Sequence, residues 1–393
     1  MKNKQQLFKR FEEVFGYPSQ NLYFSPGRIN LIGEHTDYNG GKVFPSAITM
    51  GTYAVAAPRK DKEVHAFSDN MKDMGILSFS LDSLKYETES SWTNYLKGML
   101  LYIQELKGEL SHGFDVFIFG TIPNGASLSS SASLEILTGV IAKDLYNLDL
   151  NGEVLAKLGM RVENEFLDLS SGIMDQFIIA NAEKGHAMLL NTNTLEYEQV
   201  PLKLPDHKIV IMNSLKRREL VDSAYNERRQ QCEQALEWLQ DVVSISSLGD
   251  LSEAEFEEHK HAIKDEVVER RAKHAVYENV RTEKAATALK AGDLAEFGRL
   301  VNDSHISLHE DFEVTVEETD ALVRSAWKQA GVVGARMTGG GFGGCCIAIV
   351  ENEQVESFVE NVGGEYEEKF GYAPEFYIAE TEDSAKKLEE IGA

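Results

Sequence analysis

A chain of 393 residues with 42% apolar and 26% charged side chains has the composition of a folded globular protein, and is too long for one compact core, so two domains are expected. Its 64 acidic against 39 basic residues give a formal net charge of −25, a field that repels nucleic acid and anionic membrane surfaces. A polyphosphate ligand would meet the same repulsion, so binding one requires glycine-rich backbone amides, a helix N-terminus and a divalent cation.

In chain order, Leu7, Phe8, Phe11, Val14 and Phe15 recur at helical spacing among charges and predict an amphipathic helix rather than the apolar core of a signal peptide. Gly113–Phe119 alternates toward a strand. Leu134, Leu137, Ile141 and Leu145 mark one face of a helix that begins near Ser131. Ala187–Leu190 and Lys208–Met212 read as buried strands, with a domain boundary near Pro201–Pro205. The charged segment from about Glu253 to Lys290 reads as a solvated outer helix pair. Strands return at Cys345–Val350 and Glu375–Ala379, so the class is α+β or α/β with two domains, taken as residues 1–205 and 206–393. No apolar run approaches a bilayer span, and three cysteines, two of them adjacent, form neither a disulfide framework nor a metal spacing. A reduced, cytoplasmic setting is expected.

Three stretches concentrate chemistry. Gly27-Arg28-Ile29-Asn30-Leu31-Ile32-Gly33-Glu34-His35-Thr36-Asp37-Tyr38-Asn39-Gly40-Gly41 holds an Arg, two carboxylates and a His among glycines. Carboxylates accept from vicinal hydroxyls and glycines admit close backbone approach, so it reads as a polyol or sugar site. Pro123-Asn124-Gly125-Ala126-Ser127-Leu128-Ser129-Ser130-Ser131-Ala132-Ser133 runs small hydroxyl residues into a helix, which aims free N–H groups and the helix dipole at one point. A serine-rich N-cap is the plain alternative. The third stretch, Gly339–Gly344, spells G-x-G-x-x-G. Here the glycines follow a helical stretch (321–330) and lead into a strand, the wrong order for a dinucleotide fingerprint. Neither a P-loop nor the protein-kinase motif set occurs.

The first stretch resembles, almost letter for letter, the signature of the galactokinases within the GHMP small-molecule kinases. Pro123–Ser133 resembles the second motif of that family, which wraps nucleotide phosphates, and Met337–Cys345 resembles its third. The resemblance implies an N-terminal mixed-sheet α/β domain and a ferredoxin-like α+β C-terminal domain, with the active site in the cleft between them. It implies transfer of the γ-phosphate of ATP to the C1 hydroxyl of D-galactose, giving α-D-galactose 1-phosphate, with Mg²⁺ as cofactor. Ser171-Gly172-Ile173-Met174-Asp175-Gln176 matches the family's GIMDQ segment and gives Asp175 the general-base role. Arg28 would then stabilise the moving phosphoryl group. Phosphoryl transfer depends chiefly on positioning and charge, which suits that pair.

By the same resemblance Ser131 and Glu163 hold the metal. Glu34, His35, Thr36 and Asp37 bind the sugar, together with Tyr225 of Ser223–Arg229. Ser68 and the loop Gly125, Ala126, Ser127, Leu128, Ser129, Ser130 and Ser131 bind the nucleotide. Relatives commonly carry Gly at the position of Ser127, where Ser would be strained if φ is positive. Arg228 and Arg229 read as helix-surface charges, and the His305/His309 pair lacks a third ligand for a metal. Partners are therefore galactose and MgATP, and a monomer is compatible with the sequence. The rival readings are a related sugar-1-kinase, for instance on N-acetylgalactosamine, and a non-catalytic galactose and ATP sensor. Intact Arg28, Asp175 and Ser129–Ser133 favour chemistry.

Overall fold

A computed structural model describes residues 4–123, 125–216 and 221–388. The helix Lys4–Phe15 lays Leu7 and Phe11 against strands Asn21–Asn30 and Pro45–Pro58, as its periodicity predicts. Six strands form a mixed sheet in the order Lys386–Leu388, Asn21–Asn30, Pro45–Pro58, Phe114–Gly120, Glu63–Ser68, Ile76–Ser80. Only the pair Glu63–Ser68 and Phe114–Gly120 is parallel. Helices Thr93–Lys107, Ser130–Leu145, Gly152–Arg161 and Met174–Asn181 bury one face of this sheet in a core that includes Leu100, Ile136, Leu137 and Phe177.

A second sheet holds four antiparallel strands in the order Val332–Thr338, Cys345–Glu351, His207–Asn213, Glu375–Ala379. Numbered along the chain that order is 2-3-1-4, which is the ferredoxin-like arrangement expanded by extra helices between its first two strands. A third core, with Ile29, Leu31 and Phe44 from one side and Ile209, Ile211, Ala285 and Ile347 from the other, joins the two sheets. Among the described residues no helix is long and apolar enough to cross a membrane, and all three cysteines are buried thiols.

Two expectations are overturned. The segment 253–290 is not a solvated pair. The helix Glu266–Ala291 runs through the second half of the molecule with Arg271, Ala272, His274, Ala275, Glu278, Asn279, Thr282 and Ala285 buried. The charges on its buried face, Arg271 and Glu278, find partners inside the protein, and a pattern reading of polarity cannot distinguish that from water. The glycine run 339–344 follows the strand Val332–Thr338, not a helix, because the preceding helix ends at Ala326. Gly334 and Arg336 interrupt the apolar pattern of that strand and hid it. The run connects two antiparallel strands and opens no helix, so the dinucleotide fold stays excluded on different grounds.

Candidate active site

The strand Asn21–Asn30 breaks its register between Pro26 and Gly27. Pro has no N–H for the ladder and Gly27 has no Cβ, and a Cβ there would lie 2.6 Å from the Leu128 carbonyl. Beyond this bulge Arg28 still pairs with Ala47, and its backbone N–H donates to the Leu128 carbonyl at 3.2 Å. The guanidinium, 4% exposed, then forks onto Asp175: Nε donates to Oδ1 and Nη2 to Oδ2, both at 2.7 Å. Its third arm, Nη1, donates to the Ser127 carbonyl at 2.7 Å. The Ser129 hydroxyl donates to Asp175 Oδ2 at 2.5 Å. Two residues 147 positions apart thus share one bidentate ion pair, the strong geometry for a guanidinium and a carboxylate.

Asp175 lies in the first turn of Met174–Asn181 and faces the start of Ser130–Leu145. The cavity between them, about 310 Å³, is lined by Arg28, Glu34, His35, Asp37 and Tyr225 on one side. Gly125, Ser127, Ser129, Ser130, Ser131, Glu163 and Asp175 line the other. Thr36, Ala126 and Leu128 do not line it. The Thr36 hydroxyl ties the turn by donating to the carbonyls of Gly33 and Lys42, at 2.9 and 2.7 Å, while Ala126 and Leu128 pack into the joining core. Ser68 lines a neighbouring pocket of about 190 Å³ that shares Ser130 and Ser131 and is walled by Trp92, Tyr95 and Leu134.

On the sugar-motif side, Glu34 is 2% exposed and its Oε1 accepts the Gly339 N–H at 2.7 Å, with Arg336 Nη1 3.4 Å away. Burial pushes its carboxyl up, and Arg336 and Arg28 pull it back. Asp37 is pushed up to about 6, by burial first and by the charge of Asp175 next. Burial holds His35 well below the usual imidazole range, so the ring is neutral, with Nδ1 2.7 Å from the Tyr38 hydroxyl. The rings of Tyr225 and Phe312 flank it at 5.4 and 4.7 Å.

On the serine side, the helix Gly152–Arg161 widens into a π-turn over Val162–Phe166, which swings Glu163 inward beside Val162. The Ser131 hydroxyl donates to Glu163 Oε1 at 3.1 Å. Burial and the nearby Asp175 push the Glu163 carboxyl up. Ser127 and Ser129 both take left-handed backbone angles, with φ of 60° and 62°, so the loop does require the strained conformation at Ser127.

The sequence reading missed several supports. Arg228 and Arg229 are not surface charges: Arg228 Nε donates to the Phe312 carbonyl at 2.7 Å and Arg229 Nη1 to that of Ser170 at 3.0 Å. Arg336, wholly buried, donates to the Asn30 carbonyl at 3.0 Å. An arginine inside an otherwise apolar strand was its signal. Gln176 donates to the buried Glu135 at 3.0 Å, one turn along the helix from Ser131. His305 and His309 bracket Asp320, 3.3 and 2.9 Å from its carboxylate oxygens.

Comparisons with known proteins cover most of the chain. Residues 9–58 match the galactokinase galactose-binding signature, 94–183 the GHMP kinases N terminal domain, and 285–368 the GHMP kinases C terminal domain. The chain is 54% identical over 386 residues to the galactokinase of Ligilactobacillus salivarius, covering 98% of this chain and 100% of that one. It is 54% identical over 385 residues to the galactokinase of Streptococcus mutans, with 98% and 99% covered. The crystal structure of Lactococcus lactis galactokinase complexed with galactose superposes with a TM-score of 0.96 at 48% identity, covering 98% of this chain and 99% of that one. A mevalonate kinase shares the fold alone, at a TM-score of 0.64 and 19% identity. The chain belongs to the galactokinases of the GHMP kinase family.

Proposed function

We propose that this chain transfers the γ-phosphate of ATP to the C1 hydroxyl of D-galactose, giving α-D-galactose 1-phosphate and ADP. The observation that carries the reading is the Arg28–Asp175–Ser129 junction, which stands between a carboxylate-rich turn and a helix N-terminus. The sugar lies on the side of Glu34, His35, Asp37 and Tyr225, with the turn held by Thr36. Asp175 accepts the C1 hydroxyl proton as the new O–P bond forms and the bond to ADP breaks. Arg28 orients Asp175 and offsets charge on the transferring phosphoryl group.

The nucleotide lies on the other side. Its phosphates meet the N–H groups of Gly125–Ser131 and the positive end of the helix Ser130–Leu145. The adjoining pocket, with Ser68, Trp92 and Tyr95, has the aromatic walls that suit a nucleobase. Ser131 and Glu163 fit a Mg²⁺ ion, offering a hydroxyl and a carboxylate oxygen as hard donors, and burial and the nearby Asp175 disfavour the Glu163 charge without a cation. Among the described residues no three His, Cys, Asp or Glu side chains form a complete cage, so phosphate oxygens and water would supply the remaining ligands. When bound, the ion neutralises the triphosphate.

The same reading divides the chain at residues 1–205 and 206–393 and assigns it to the cytoplasm. The start of the second sheet at His207 supports the division, with Lys386–Leu388 returning to the first sheet, and three cysteines outside any disulfide support the compartment. The test is ATP consumption by the purified protein against galactose, N-acetylgalactosamine, glucose and arabinose, with and without chelator. Galactose alone should support rapid, Mg²⁺-dependent turnover. Turnover only with N-acetylgalactosamine, or galactose binding with no turnover at all, would defeat the proposal.

A further inference from the structure

The helix Glu266–Ala291 presents His274, Glu278, Asn279 and Thr282 along one buried face, and none of them touches the cavity. They meet the backbone of the sugar turn instead. Glu278 Oε1 accepts the Gly33 N–H at 2.9 Å and the Ser304 hydroxyl at 2.6 Å. Its Oε2 pairs with Arg281. His274 Nε2 lies 3.1 Å from the Glu34 carbonyl, and Asn279 Oδ1 accepts the Lys42 N–H at 2.8 Å. The helix therefore grips the chain just before Glu34 and again just after the turn closes.

Gly33 is pressed hard against this face. Its φ is 96°, and a Cβ there would stand 2.7 Å from the Lys42 carbonyl and 3.0 Å from the Thr282 hydroxyl. A wholly buried carboxylate is costly to keep even with the Ser304 hydroxyl and Arg281 as further partners, and an amide could accept the Gly33 N–H. What the anion adds is a shorter, stronger bond and a fixed direction. Burial works against that charge, yet Arg281 above all holds the Glu278 carboxyl down to about 2, so the anion persists.

We propose that Glu278 is a positioning residue for sugar recognition: its carboxylate fixes the Gly33 amide, and with it the direction in which Glu34 faces the sugar. The inference rests on the assignment of Glu34 to the sugar made above. It is tested by steady-state kinetics on the full chain, varying galactose and MgATP separately in E278A, E278D, E278Q and E34Q. E278A should raise KM for galactose roughly tenfold while KM for ATP moves by no more than about twofold. E278D keeps the charge but shortens its reach, and should show the same split. E278Q, whose amide oxygen still accepts the Gly33 N–H but without the charge, should raise KM for galactose by less than E278A does. A merely structural Glu278 would lower the melting temperature without separating the two KM values.

Equal shifts in both constants, or a wild-type KM for galactose in folded E278A, overturn the inference. Should E278A fail to fold, a wild-type KM for galactose in E278D overturns it equally. E34Q separates the two layers. If E34Q leaves KM for galactose unchanged, the sugar assignment falls and this inference with it. If E34Q raises it and the Glu278 variants do not, this inference alone is wrong.

Discussion

The two walls of the cavity are built in opposite ways. On the sugar-motif wall most of the turn is already engaged: the Gly33 N–H by Glu278, the Thr36 hydroxyl by two carbonyls, Asn39 by the His35 carbonyl at 2.7 Å, Glu34 by Gly339, with His35 Nε2 left buried without a hydrogen-bond partner. On the serine wall Gly125 and Ser130 are exposed, the Ser127 hydroxyl is buried with no hydrogen-bond partner, and two serines hold left-handed backbone angles. The difference follows from what each wall must recognise. A neutral sugar differs from its epimers only by where hydroxyls point, so its acceptors must be held in place beforehand. A polyphosphate is held by field and by free N–H donors, so that wall keeps its donors open.

Asp175 stands where the walls meet, and changing it should break the pair most severely. Asp175→Asn is expected to lower kcat by roughly a hundredfold to ten-thousandfold, the range spanned by a general base. The sugar wall is left intact, so galactose should still raise the melting temperature of the variant. Near-normal turnover would remove Asp175 from the mechanism.

A smaller effect should appear on the sugar wall alone. Asp37, pushed up to about 6, is ionised at pH 7.5 and takes up a proton as pH falls through 6. That removes an anionic acceptor, so kcat/KM for galactose should drop several-fold between pH 7.5 and 5.5, with little change in KM for ATP. Asp37→Asn, already uncharged, should flatten that limb of the profile. A limb that persists in the variant assigns the titration to another group.

The smallest effect belongs to the serine wall. Ser127→Gly relieves the left-handed angle but adds freedom to the unfolded chain, two terms of about 1 kcal/mol with opposite sign. Its melting temperature should stay close to wild type, and KM for ATP should move by about threefold at most. A large loss of ATP binding would mean that the Ser127 hydroxyl itself reads the nucleotide and that this wall is more tightly specified than its open donors suggest.

How much of this was legible in the sequence depended on whether a residue's partner lay nearby in the chain. The turn 27–41, the serine run 123–133 and the helix after Ser130 were readable because each carries its own local logic of turns, caps and periodicity. Asp175 could be singled out only through its resemblance to a known segment, since its partner Arg28 is 147 positions away. Glu278 and His274 were hidden by their surroundings. In a helix rich in charge, buried acids and solvated ones look alike, and only the alanines at 272, 275, 285 and 286 hinted that one face was closely packed. The strand Val332–Thr338 escaped notice for the converse reason, a charged residue where an apolar one was expected.

One feature of the fold bears on how the two halves can move. The chain passes from a small three-stranded sheet (Lys42–Val43, His186–Asn191, Tyr197–Pro201) to the second sheet near Pro201–Pro205 and comes back near Thr381, where Thr49 and Glu382 exchange backbone hydrogen bonds with Glu380 and Ala47. Lys386–Leu388 then completes the first sheet beside Leu22–Phe24. The halves are therefore stitched twice along a single seam, with Leu202, Leu204, Ala379 and Thr381 lining the same groove. Any swing of one half against the other must flex both stitches together and also strain the Glu278–Gly33 and Gly339–Glu34 bonds across the joining core.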